Sequence, residues 1–209
     1  MTVASDSYRA RTSAPAPAKP LVLALHGTGG DENQFFDLAH HLVPGAGVIS
    51  PRGDVSEMGA ARFFRRTGEG VYDMDDLARA TAKMIAFITD QRAAHPDTPL
   101  YAFGYSNGAN ILASVLFERP DLLDRVALLH PLIPWQPAPH PGLAGKRVLI
   151  TAGRRDPITP WPASEALIDW LQDAGATVAT HVHDGGHELR SEELEALATH
   201  FADTPEAFT

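Results

Sequence analysis

Residues 101–110 read YAFGYSNGAN, and at their centre Gly104-Tyr105-Ser106-Asn107-Gly108 sets a serine between two glycines. The pentapeptide alone leaves two readings of Ser106 open. It is a nucleophile presented at a sharp strand-to-helix turn, or a hydroxyl that caps the helix starting after it. A serine nucleophile needs a neighbouring base to take its proton, so the rest of the chain must supply one. The surroundings fit a nucleophile elbow: Leu100–Phe103 reads as a strand and Asn107–Phe117 as a helix. A strained turn of this kind leaves little room beside the serine, which explains the glycines. The helix then aims free backbone N–H groups at the same place, and Asn107 offers the first of them.

Three more stretches bear on the choice. His26-Gly27-Thr28-Gly29-Gly30 follows the first clear strand, Leu21–Leu25, where the Thr28 amide can serve as the second oxyanion donor. The loop has neither a Walker lysine nor GxGxxG spacing, which speaks against a phosphate loop. Gly153-Arg154-Arg155-Asp156-Pro157 follows the strand Lys146–Thr151 and places an acid where it can orient a histidine. Asp156 also reads as a turn residue before proline; Asp169 and Asp184 are its rivals, the first inside an expected helix and the second too close to the candidate histidine. Asp184-Gly185-Gly186-His187-Glu188 follows the last strand, Thr177–His183, and of the ten histidines only His187 lies in such a loop. His181 and His183 read as solvent-facing or structural, and a metal site from His181, His183 and His187 matches no trusted spacing.

Elsewhere the chain alternates strands and helices. A short strand fits Gly47–Ser50 and another Arg125–Leu129; helices fit Gln34–His41, Ala163–Asp173 and Ser191–Phe201. The helix Met74–Ala94 carries Leu77, Thr81, Met84, Ile85 and Ile88 on one stripe, with Asp73, Asp75 and Asp76 at its positive end. This alternation predicts an α/β fold, a mostly parallel sheet with helices on both faces. Residues 1–20, rich in Ala, Pro and Ser, read as a flexible lead-in with one short edge strand near Tyr8, and residues 21–209 as one domain. Little chain is left for a lid.

The net charge of −9, from 26 acidic and 17 basic side chains, leaves no basic surplus for nucleic acid. The absence of cysteine removes disulfides, thiolate metal sites and a cysteine nucleophile. No apolar run approaches the roughly 20 residues of a membrane span, and MTVASDSYRARTSAPAPAKP lacks the apolar core of a signal peptide. The expectation is a cytoplasmic protein without stable membrane insertion, whose exposed apolar loops suit a homodimer or a substrate equally.

Ser106, Asp156 and His187 occur in the chain order expected of α/β-hydrolases, each after a strand. The blocks LALHGTGGDE, RFFRRTGEGVYD, FGYSNGANILAS, TAGRRDPITP and DGGHEL resemble the phospholipase/carboxylesterase family of that fold. Its bacterial carboxylesterase 2 branch, related to the acyl-protein thioesterases, is the nearest. The resemblance runs from about Leu21 to the C-terminus. It implies Ser106 as nucleophile, His187 as base, Asp156 as acid, Thr28 and Asn107 as oxyanion donors, and neither cofactor nor metal. Asn107 stands where many acyl-protein thioesterases carry Gln, which favours a small-molecule ester as partner. Phe63, Phe64, Leu132, Ile133, Trp135 and Ile158 are candidates for the substrate pocket, although Phe63 and Phe64 also read as packing under a loop whose arginines pair with Glu69 and Asp73. The expected activity is hydrolysis of small or medium carboxylic esters. Thioester or lysophospholipid hydrolysis, cleavage of an aromatic ring-fission product, and a non-catalytic binding role are the alternatives.

Overall fold

The computed structural model describes residues 7–202. Seven strands form the central sheet: β1 (Ala10–Ser13), β2 (Leu21–Leu25), β3 (Gly47–Pro51), β8 (Leu100–Tyr105), β9 (Arg125–Leu129), β10 (Arg147–Gly153) and β11 (Thr177–His183). Between β3 and β8 the chain adds four short strands in two hairpins, β4 (Val55–Glu57) with β5 (Ala60–Arg62) and β6 (Arg66–Gly68) with β7 (Val71–Tyr72). The order across the sheet is β1-β3-β2-β8-β9-β10-β11. All neighbours are parallel except β1, which runs antiparallel to β3.

The apolar runs explain the two-sided burial. Every residue of β2 is buried, and its side chains alternate between the two faces. Leu21, Leu23 and Leu25 join the core shared with α2 (Met74–Ala94), α3 (Asn107–Glu118) and α4 (Trp161–Asp173). Val22 and Ala24 join the opposite core, covered by α1 (Phe36–Leu42) and α5 (Ser191–Phe201). At about 1.5–3 kcal/mol for each large apolar side chain fully buried, these two layers are the main source of stability.

Helix α2 starts at Asp73, whose Oδ1 accepts the Asp76 N–H at 3.0 Å. Four of the five expected stripe residues are buried; Ile85 is half-buried. The short edge strand expected near Tyr8 is β1, and Tyr8 itself is buried edge-on against Phe63 and Phe87 just before it; residues 1–6 lie outside the described residues. The hairpins of residues 55–72 carry too short and too polar a pattern to be read as strands, and they place Arg62, Arg66 and Tyr72 beside the functional edge of the sheet.

Candidate active site

The carboxyl ends of five adjacent parallel strands meet at one edge, where folds of this kind place ligands. After β2 comes His26-Gly27-Thr28, after β8 Ser106, after β9 His130, after β10 Asp156 and after β11 His187. Ser106 has φ 52° and ψ −115°, a conformation a non-glycine residue keeps only when its surroundings enforce it. They do: the Ser106 N–H donates to the Leu129 carbonyl at 2.9 Å, and its own carbonyl accepts from the Asn110 N–H at 3.0 Å. The flanking glycines are steric requirements. A Cβ on Gly104 would lie 2.4 Å from the Gly108 carbonyl carbon, and one on Gly108 would lie 2.4 Å from the Leu25 oxygen.

The Ser106 hydroxyl makes no capping bond to α3. It lies instead 2.9 Å from Nε2 of His187, whose Nδ1 is 2.6 Å from Oδ2 of Asp156. The capping reading is thereby displaced. Tyr105 donates its hydroxyl to the His187 carbonyl at 2.6 Å and holds the loop over the sheet edge; burial pushes that phenol up to about 12, so it remains a donor. Asp156 is buried, and its Oδ1 accepts the N–H groups of Ile158 and Thr159 at 2.8 and 2.9 Å. Burial alone would raise its pKa, but the Thr159 amide and the His130 and His187 hydrogen bonds outweigh that and hold it below the usual carboxylate range. Neither rival acid is near: Asp184 is exposed beside Arg154 at 3.9 Å, and Asp169 lies on the exposed face of α4.

Thr28 and Asn107 line the same pocket as Ser106 and His187. Neither of their backbone amides donates to another part of the protein among the described residues. Side chains around them fix the loop. Gly53 donates its N–H to Nε2 of His26 at 2.8 Å, so the His26 proton sits on Nδ1, which donates to the Gly27 carbonyl at 2.7 Å. Burial lowers the pKa of His26 and keeps it neutral in this role. Gln34 Oε1 accepts the Gly27 N–H at 3.0 Å, and Arg62 Nη1 donates to the Thr28 hydroxyl at 2.7 Å.

The pocket is a cavity of about 380 Å³. Leu132 and Ile158 line it as expected. Tyr72 and Asn110 line it too, in a closed triangle: Asn110 Nδ2 donates to the Tyr72 hydroxyl at 2.7 Å, that hydroxyl donates to the Leu132 carbonyl at 2.8 Å, and the Leu132 N–H donates to Asn110 Oδ1 at 2.7 Å. Phe63 and Phe64 do not line it. Both are fully buried beneath it, Phe63 against His26 and Tyr8 and Phe64 edge-on to Tyr72, while Arg65 pairs with Asp73 and Arg66 with Glu69. Ile133 and Trp135 also fall outside it. The proline-rich segment after His130 turns Leu132 inward and lays Ile133 and Trp135 along a separate groove with Ala163, Leu167 and Trp170 of α4.

Two residues of this edge carry no signal in the serine motif. His130 is fully buried, with Nδ1 2.9 Å from Asp156 Oδ2 and Nε2 2.9 Å from Oε1 of the buried Glu193. Its position directly after a strand, like that of Ser106, is the one sequence cue that could have found it. Among the described residues two groups bring three potential ligand atoms together, His130-Asp156-His187 and His130-His183-Glu193. In the second, Gly185 donates its N–H to Nδ1 of His183 at 2.9 Å, so the proton of that ring sits on Nε2 and no lone pair faces a cation. His181, His183 and His187 do not form such a group among the described residues.

Residues 16–147 match the family model described as serine aminopeptidase, S33. The chain is 41% identical over 177 residues to MhqD of Bacillus subtilis (strain 168), covering 84% of this chain and 88% of that one. Among solved structures it is similar to Atu2452 of Agrobacterium tumefaciens str. C58, with 54% identity, a TM-score of 0.87 and 94% and 97% of the two chains covered. It is also similar to a Bacillus cereus carboxylesterase, with 38% identity, a TM-score of 0.86 and 93% of each chain covered.

Proposed function

The chain belongs to the phospholipase/carboxylesterase family of α/β-hydrolases and is a hydrolase of the ester type; on that premise we propose that it is a serine carboxylesterase acting on small or medium carboxylic esters. One observation carries the reading: His187 bridges the Ser106 hydroxyl and the Asp156 carboxylate at 2.9 and 2.6 Å, with Ser106 and His187 on the wall of a cavity. His187 Nε2 removes the Ser106 proton while Oγ attacks the ester carbonyl carbon. The amides of Thr28 and Asn107 receive the oxyanion, and Asp156 steadies the imidazolium. Collapse of the tetrahedral intermediate breaks the bond to the alcohol oxygen, which takes the proton from His187. Water, deprotonated by the same nitrogen, then releases the acid and restores Ser106. The cavity lies at the lower end of small-molecule sites, which favours short acyl and alcohol groups over a lysophospholipid.

The test is kcat/KM on p-nitrophenyl esters from acetate to palmitate, for the wild type and Ser106→Ala. Short esters should turn over best, and Ser106→Ala should lose activity by on the order of 10⁴-fold or more. A maximum at long chains moves the assignment to thioester or lysophospholipid substrates. Activity that survives in Ser106→Ala removes the acyl-enzyme.

A further inference from the structure

The acid that orients His187 is shared. Oδ2 of Asp156 faces Nδ1 of His187 at 2.6 Å and Nδ1 of His130 at 2.9 Å. The far side of the His130 ring meets Oε1 of Glu193 at 2.9 Å, and Glu193 Oε2 accepts the Arg190 N–H at 2.8 Å where α5 begins. The side chains of His130, Asp156 and Glu193 are all fully buried.

A neutral imidazole has one N–H and one lone pair. Between two ionised carboxylates it would turn that lone pair on one of them, a buried acceptor against a buried charge. With both ring nitrogens protonated, both contacts are charge-assisted hydrogen bonds, and one positive charge is set against two negative ones. Burial alone would lower the pKa of His130, but the Glu193 and Asp156 hydrogen bonds outweigh it and hold the ring above the ordinary imidazole value. The same contacts help hold Glu193 below the usual carboxylate range, against the burial that would raise it. The backbone of His130 pays for the placement with a φ of 52°.

We propose that His130 is a positioning residue, an imidazolium fixed between Asp156 and Glu193 that locks Oδ2 of the catalytic acid and moderates its pull on the His187 ring. The proposal rests on the serine-esterase reading of the same site. The groups facing His130 come from every element around it: Asp156 after β10, Glu193 from α5, His183 from β11 with ring centres 5.5 Å apart, His187 at 5.1 Å and Tyr105 of β8 at 6.0 Å. The ring's positive charge offsets part of the Asp156 charge and makes the imidazolium of His187 harder to form.

Two measurements test this. In the kinetic one, kcat/KM for p-nitrophenyl acetate is followed against pH in the wild type and in His130→Gln, which keeps a polar side chain but removes the charge. The acid limb should move to higher pH by about one unit, with KM little changed. A limb that stays in place or moves down overturns the proposal, whatever happens to the rate at its plateau. The second uses ¹⁵N-histidine NMR of the wild-type protein and needs neither turnover nor a folded variant. His130 should show two protonated ring nitrogens at pH 8, and a bare ring nitrogen there overturns the proposal. A wild type that cleaves no ester but keeps the doubly protonated ring refutes the esterase reading and leaves the charge state of His130 standing.

Discussion

Asn107 Oδ1 accepts the Phe63 backbone N–H at 2.8 Å, so the residue after the elbow serine also holds the segment on which the His26-Gly27-Thr28 loop rests. Phe63 in turn packs against His26, the residue that fixes Gly27. Asn107→Ala keeps the main-chain N–H proposed to receive the oxyanion but strands the buried Phe63 N–H, which should cost about 1–3 kcal/mol. Urea unfolding measures it. A midpoint equal to the wild type's means that water reaches Phe63 N–H and that the tether is not needed.

Gly108 is the tightest point between α3 and β2. A Cβ there meets the backbone oxygens of Leu25 and His26 at 2.4 and 2.5 Å, and backbone cannot rotate away as a side chain can. Gly108→Ala should destabilise by about 3 kcal/mol or more and displace the His26-Gly27-Thr28 loop from the helix N-terminus. Thermal unfolding checks the first part. A variant with wild-type stability and full activity contradicts the close approach.

Asp156 has all of its accepting positions taken, two by backbone N–H groups and two by histidine rings. Asp156→Asn replaces one oxygen with a donor that must face one of those N–H groups. kcat for a short ester should fall by about 10⁴-fold, as expected when the base loses its orienting partner. Retention of more than a tenth of the wild-type kcat would mean that another acid orients His187.

The wall formed by Tyr72, Asn110 and Leu132 makes a prediction for binding. Burial raises the Tyr72 phenol above its ordinary value, so its hydroxyl stays protonated and serves as donor and acceptor at once. Tyr72→Phe leaves the Leu132 carbonyl and Asn110 Nδ2 without that partner. KM should rise several-fold while kcat stays within about threefold, since no reacting atom is touched. Steady-state kinetics decide: a fall in kcat at constant KM would place Tyr72 in the chemistry instead.

His200 sets part of the acid stability. Burial, with Arg147 and Arg125 nearby, lowers its pKa from 6.5 to about 4. The unfolded chain therefore binds this proton more tightly than the folded one, and stability rises with pH between about 4 and 6.5. Over that window the single group accounts for on the order of 3 kcal/mol. Asp156 and Glu193, with depressed values, are stabilising above the ordinary carboxylate range and lose that contribution as pH falls through their folded values. His130, with a raised value, stabilises fully below about 6.5 and loses its contribution as pH climbs through its folded value. In His200→Gln the slope of unfolding free energy between pH 6.5 and 4 should flatten; an unchanged slope would assign that acid sensitivity to other groups.

The parts legible in the sequence are those with local causes. Leu21–Leu25 is apolar throughout because both its faces are covered, and the order of strands and helices follows from such runs. Gly104 marks the elbow locally, because a Cβ there meets the backbone of Gly108 four residues on, whereas Gly108 answers to the distant backbone of Leu25 and His26. Asp156 and His187 stand out because each lies within a few residues of a strand end, in the loop that follows. Phe63, Phe64, Ile133 and Trp135 were legible only as apolar residues near the site, since whether a ring walls a pocket or lies beneath it depends on partners such as Tyr8, Tyr72 and Trp170.

What the sequence alone determined, then, is the α/β alternation, the strained turn at Ser106 and the chain order of the three site residues, all written in spacings of a few positions. The tertiary structure alone decided the distances at which Ser106, His187 and Asp156 meet, which side chains form the cavity and that His130 joins Asp156 to Glu193. Those contacts join residues 26 to 81 positions apart. No local pattern encodes them, because they exist only once five strand ends are brought to a common edge and their buried polar groups must find partners there.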